Sequence, residues 1–407
     1  MKNTGIKISL FINYFVFAAL LNSVGILVER SQEVYAVTKS QAAILEPFKD
    51  LSIAIVAFII GSFLPKLGYK KGMLISLALV FFGCIAMYFG DSFLTVKILF
   101  ACTGISFAIV KVSIFALISY VTKTKKEHSS FMSLIETVFM LGIIFIYFVF
   151  PLFYSDTNPN AWLNGYILMA VLIFVSFIII LLSKFNIEKP PKTSISEDYK
   201  STLKLLFKPL VLVFIAFAFF YVMTEQGIMT WLPTFNKETL KLPPKLGTQM
   251  AGILLISIAS GRFITGIIAK KIKWIYIATT SVVLAVILVL LVLPLAQNIT
   301  PKEINSITDL PIVSYLFPLI GLFLAPLYPL INSTVLTSTD KAHQSHLAGL
   351  LTFWSAIGGT VGSLIIGNLF DTLGGDKVFY LSLVPFTLMF VSFFFINKLS
   401  DTDTDVT

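Results

Sequence analysis

Apolar runs of roughly 20 residues alternate with short polar turns along the whole chain, and that is the length an α-helix needs to cross about 30 Å of hydrocarbon. Six runs fall at residues 8–28, 42–63, 73–90, 94–121, 131–153 and 162–183, and six more at 209–232, 246–269, 274–296, 312–336, 347–370 and 377–397. The pattern predicts an all-α integral membrane protein with twelve transmembrane helices. Between the two sets, residues 184–208 combine Pro190-Pro191 with a mixed charge run, a composition unsuited to a packed core. The expected organisation is a six-helix bundle over 1–183, a cytoplasmic linker over 184–208 and a second six-helix bundle over 209–407 ending in a short cytoplasmic tail. A weak repeat supports duplication: Gly61 then Lys66, and Gly266 then Lys271, stand 205 residues apart, each a small residue followed by a basic turn. The first run follows Lys2 and Lys7 yet reaches Glu29-Arg30 with no small-residue cleavage site, so it reads as a retained first helix.

Composition agrees with the pattern. At 57% hydrophobic and 13% charged residues, with a mean hydropathy of +0.91, a soluble globule would expose too much apolar surface. The net charge of +9 is spread over turns rather than gathered in a patch, which marks membrane topology and not a nucleic-acid partner. With a cytoplasmic N-terminus, inner segments hold 19 basic residues and outer segments 8. The positive-inside rule then puts both termini in the cytoplasm of a bacterial inner (plasma) membrane. Cys84 and Cys102 lie inside apolar runs and read as core residues, neither disulfide nor metal ligands. A phosphate-cradling loop would need a Gly-Lys pair, and none is present; three histidines do not make a zinc helix. An enzyme, a metal site and a cofactor are therefore not expected.

The candidate chemistry is what remains charged inside the spans. A charge at the centre of a bilayer costs about 2.5 to 3.5 kcal/mol on insertion scales, so each needs a reason to persist. Four acids, Glu46, Asp50, Glu136 and Glu225, stand against three bases, Lys49, Lys111 and Arg262. Glu46, Lys49 and Asp50 are spaced i, i+3, i+4 on one face of helix two, where Lys49 pairs most easily with Glu46. The alternative is that helix two begins later and leaves them in the wet outer mouth as a solvated face. Lys111 and Glu136 match in depth. Glu225 falls in the outer half of helix seven and Arg262 in the inner half of helix eight, which by residue count sets them too far apart to pair directly. An intramembrane acid without a partner tends to take up a proton, because desolvation disfavours its charged form. That points to Glu225 and one of Glu46 or Asp50 as proton carriers, with a structural hydrogen bond as the rival role for Glu225. Arg262, in a chain that otherwise uses Lys almost throughout, suits a bidentate bond, either as a structural clamp near the cytoplasmic gate or on a solute.

Family motifs add to this. The turn from Gly61 through Pro65, Lys66, Gly68, Lys70 and Lys71 resembles the loop between helices two and three of the major facilitator superfamily, with Pro65 where an Asp is common. Thr38 to Ala42, Lys66 to Gly72, Tyr221 to Thr224 and Gly261-Arg262-Phe263 resemble the fucose:proton symporter family. The resemblance implies two pseudo-symmetric bundles, a central cavity opened alternately to each side, and proton-handling carboxylates on helices one and four. Those two positions are Gly25 and Ile109 here, so that relay is absent. Asn22 matches a polar family position, and Glu225 stands where the family has Gln.

Lesser signals complete the expectation. Pro318, Pro326 and Pro329 are expected to break helix ten, with Tyr328 and Asn332 facing a cavity. Gly358, Gly362 and Gly367 suit close helix packing. Trp231 reads as an interfacial anchor, with stacking on a sugar as the alternative. The expected function is proton-coupled uptake of a small polar solute, most simply a monosaccharide, by a monomer in the lipid bilayer, with sodium as the other possible coupling ion. The alternative is a proton-driven exporter of an amphipathic metabolite or drug.

Overall fold

The computed structural model describes residues 4–90, 92–121, 125–155, 157–183, 206–269, 271–297, 309–337 and 344–404. Among these, every regular element is an α- or 3₁₀-helix. Eleven segments are long and apolar enough to cross a membrane. The twelfth span is α4 below, whose 23 residues reach about 34 Å at 1.5 Å per residue. The chain divides into two compact units, Met1–Thr193 and Ser194–Thr407, and most of the expected linker (184–205) lies outside the described residues.

In the first unit α1 (Thr4–Asn22) and α2 (Val24–Tyr35) follow one another with only Ser23 between them. The Asn22 amide donates to the Ala18 carbonyl at 2.8 Å and the Ser23 hydroxyl to the Leu20 carbonyl at 2.7 Å. Side chains that compete with amides for carbonyls in this way bend helices. The helical path thus runs past Val28, where the apolar run was expected to end, as far as Tyr35. A short α3 (Lys39–Ala42) is closed by a capping box: Thr38 accepts from the Gln41 amide and Gln41 accepts from the Thr38 amide. This is a local physical reason for the Thr38–Ala42 motif.

Then come α4 (Leu45–Leu67), α5 (Tyr69–Gly90), α6 (Phe93–Val121), α7 (Lys125–Val149) and α8 (Asn164–Leu182). Gly68 ends α4 at φ +91°, a conformation that side chains resist. Lys70 then donates to the Leu181 and Ser183 carbonyls at 2.8 and 2.7 Å, satisfying the orphan end of α8. Lys71 is exposed beside it, and the surroundings of Gly61, inside α4, lie outside the described side chains. A Cβ at Gly104 of α6 would meet the Lys49 carbonyl of α4, so these two backbones touch.

The second unit opens with α9 (Pro209–Glu238), α10 (Pro244–Ile268) and α11 (Trp274–Ala296). The tenth span is broken as its prolines require: α12 (Val313–Leu316), a 3₁₀ turn holding Pro318, α13 (Ile320–Leu324), and α14 (Leu327–Thr337) beyond Pro326. Pro329 differs, because it falls in the first turn of α14, where a missing amide costs nothing. The unit closes with α15 (Gln344–Leu373), α16 (Gly375–Val378) and α17 (Leu383–Thr404). Cβ atoms at Gly358 and Gly362 of α15 would land on the Phe219 and Met223 carbonyls of α9, so these glycines permit backbone-to-backbone packing.

Candidate functional site

The candidate ionisable groups of the first unit gather in two places. On the opening turns of α4, the Lys49 ammonium lies 2.7 Å from a Glu46 oxygen and 3.4 Å from an Asp50 oxygen. Helical periodicity puts the three on one face, and the positive helix N-terminus favours a carboxylate at Glu46, in the first turn. Their exposures are 0% for Glu46, 3% for Lys49 and 7% for Asp50. The solvated-mouth alternative needed a later helix start and solvated side chains, whereas α4 begins at Leu45 and all three are buried. Tyr147 of α7 is in electrostatic reach of Glu46.

Two further charges are buried in the middle of α2, just beyond the apolar run expected at 8–28. Glu29 is 2% and Arg30 7% exposed. Arg30 pairs with Glu33 and lays its guanidinium over the Tyr154 ring, 4.3 Å from the centroid. The signal that could have found them is the absence of any Gly or Pro between Val28 and Tyr35, which gives the helix no reason to stop.

The second cluster joins three helices. Tyr14 of α1 donates to Glu136 of α7 at 3.2 Å, Lys111 of α6 interacts electrostatically with Glu136, and the Lys111 ammonium stands 5.6 Å from the Phe107 ring centroid. Lys111 is partly buried and Glu136 exposed at the surface of its unit. Asn22 is not part of either cluster, its amide being returned to its own helix.

In the second unit the Tyr221 hydroxyl donates to Glu225, four residues along α9, at 2.7 Å. The Tyr221 ring packs against that of Tyr328 on α14, centroids 5.2 Å apart, and the Tyr328 hydroxyl stands beside Asn332 and Ser355. Arg262 of α10 acts electrostatically on Glu225, Tyr221 and Tyr328. Residue counts spoke against a direct pair between Glu225 and Arg262, and the interaction seen here is an electrostatic one, with Glu225 near the middle of α9, which runs on to Glu238. Three of the four intramembrane acids thus have a tyrosine as partner or near neighbour, and Tyr14, Tyr147 and Ser355 were all missed in the sequence.

Trp231 is a correction. It is 0% exposed, donates to the Ser363 carbonyl of α15 at 3.0 Å and packs on Phe370 at 5.6 Å, so its ring is packed inside the unit rather than presented at an interface. Trp231→Phe is expected to remove that hydrogen bond at a cost of roughly 1 kcal/mol, leaving the KM for uptake unchanged. A melting curve with a parallel uptake assay checks both; a raised KM would return Trp231 to the solute site.

The comparisons with known proteins concern the fold. Among curated proteins no sequence relative was found. A bacterial homologue of the human lysosomal transporter Spinster matches with a TM-score of 0.78 at 10% identity, covering 98% of this chain and 97% of that one. The E. coli fucose:proton symporter matches with 0.64 at 14% identity, covering 97% and 99%, and a D-xylose-proton symporter with 0.70 at 12% identity, covering 97% of both. At these identities the likeness is one of fold. The sequence profile of the Major Facilitator Superfamily matches residues 8–363, and with twelve spans in an all-α chain the conclusion is plain: this chain belongs to the Major Facilitator Superfamily.

Proposed function

We propose that the chain is a secondary active transporter that takes up a small polar solute by alternating access, driven by protons. It works as a monomer in the plasma membrane with both termini cytoplasmic. The observation that carries this is the Glu46–Lys49–Asp50 triad, buried in a membrane-spanning helix. A buried ion pair adds little stability compared with apolar residues of the same size, and intramembrane charges mark ion pathways. Asp50 or Glu46 in the first unit and Glu225 in the second carry protons, with Glu136 as a further acid. Lys111, Asn22, Tyr328 and Asn332 are the polar groups assigned to the solute.

A monosaccharide is the favoured solute class. The motifs at Thr38–Ala42, Lys66–Gly72, Tyr221–Thr224 and Gly261–Phe263 resemble the fucose:proton symporter family, and fucose- and xylose-proton symporters share the fold. The test is external pH in a lightly buffered suspension of de-energised cells expressing the protein, while sugars are added one at a time. Alkalinisation on adding one sugar is the expected result. Silence across a broad panel, with expression verified, would overturn the sugar assignment.

A further inference from the structure

The triad on α4 holds two carboxylates and one ammonium, and the ammonium is not shared evenly. Lys49 sits 2.7 Å from Glu46 and 3.4 Å from Asp50, and all three residues are buried, Asp50 least so. We propose that Lys49 decides the coupling ion: as a tethered cation it occupies the space between the two carboxylates that an alkali ion would need, so the triad accepts a proton and rejects sodium. This deepens the function proposed above and rests on it for the word coupling.

The argument is one of charge and space. With both acids ionised the triad carries one net negative charge, which either a proton or a sodium ion would neutralise. The two differ in where the positive charge ends up. A proton becomes covalently bound to a carboxyl oxygen, turning that acid neutral and leaving the other acid paired with Lys49. The longer contact makes Asp50 the acid that takes it. A sodium ion remains a separate charge and, as a hard cation, needs several oxygens around it. One oxygen of each carboxylate lies against the Lys49 ammonium, so a metal bridging the two would lie against a like charge in a site of low dielectric, where repulsion is strongest. Lys49 has little freedom to withdraw. Its backbone carbonyl packs on Gly104 of α6, where even a Cβ would collide, and Glu46 holds the ammonium.

Removing the ammonium reverses the logic. In Lys49→Gln two carboxylates spaced i, i+4 face each other with an amide oxygen between them, an oxygen-rich site with two negative charges.

The experiment is thermal unfolding of the purified full-length protein in detergent at pH 8, in sodium chloride against choline chloride at equal ionic strength. The wild type is expected to melt at the same temperature in both. Lys49→Gln is expected to gain a sodium-specific rise of several degrees, and Lys49→Gln/Asp50→Asn to lose most of it. Asp50→Asn alone, which keeps the Glu46–Lys49 pair, is expected to be indifferent to sodium. A sodium-specific rise in the wild type that disappears in Asp50→Asn overturns the proposal, and this arm holds even if Lys49→Gln does not fold. A folded Lys49→Gln without sodium response overturns it also. No solute is needed for the melts, so they stand or fall apart from the uptake assay.

Discussion

Uphill accumulation of the solute is expected to collapse to the external concentration in Glu225→Gln, while exchange of labelled for unlabelled solute continues. The substitution keeps the shape and the hydrogen bond, because a glutamine oxygen accepts from the Tyr221 hydroxyl as the carboxylate does. It removes only the ability to ionise and the counter-charge to Arg262. Moving one elementary charge through 100 mV is worth about 2.3 kcal/mol, and each factor of ten in concentration takes about 1.4 kcal/mol. A neutral solute coupled to one proton is thus accumulated about 40-fold at that potential, and this is the factor at stake. Measuring the steady-state ratio and counterflow in the same vesicles separates coupling from translocation. Full accumulation in the variant would remove Glu225 from the mechanism and leave it as a structural hydrogen-bond acceptor.

Gly362→Val is expected to leave little folded protein. The first added carbon would fall on the Met223 carbonyl of α9, and backbone cannot rotate away as a side chain does. The helices would have to separate, which also loosens Gly358 against Phe219 and the Trp231 bond to the Ser363 carbonyl, all on the same pair of helices. Overpacking of this kind costs typically about 1 to 3 kcal/mol, and the coupled losses put this site at or beyond the upper end. Yield of monodisperse protein and melting temperature read the effect. As a control, Gly266→Val, where a Cβ meets nothing within 4 Å, is expected to be tolerated. Equal stability of the two variants would mean that α9 and α15 do not depend on this approach.

One contact was legible because helical periodicity turns short spacings into contacts: Glu46 with Lys49 is an i, i+3 pair and is bonded in the structure. Tyr221 with Glu225 follows the same rule at i, i+4 but was not read from the sequence. The prolines of the tenth span and the glycines of the eleventh were legible for a related reason, since each acts through its own backbone.

What the amino-acid sequence determined by itself was the number and order of spans and the class of protein. These follow from run length and from the cost of charge in hydrocarbon, both local properties. Only the tertiary structure decided what each charge touches. It joined Tyr14 to Glu136 across 122 residues, coupled Arg262 electrostatically to Glu225, sank Trp231 into the packing of α9 on α15, and buried Glu29 and Arg30 just beyond the first apolar run. Each depends on how separate helices pack and on how far a side chain reaches from its backbone. A one-dimensional pattern of apolar and polar residues carries neither.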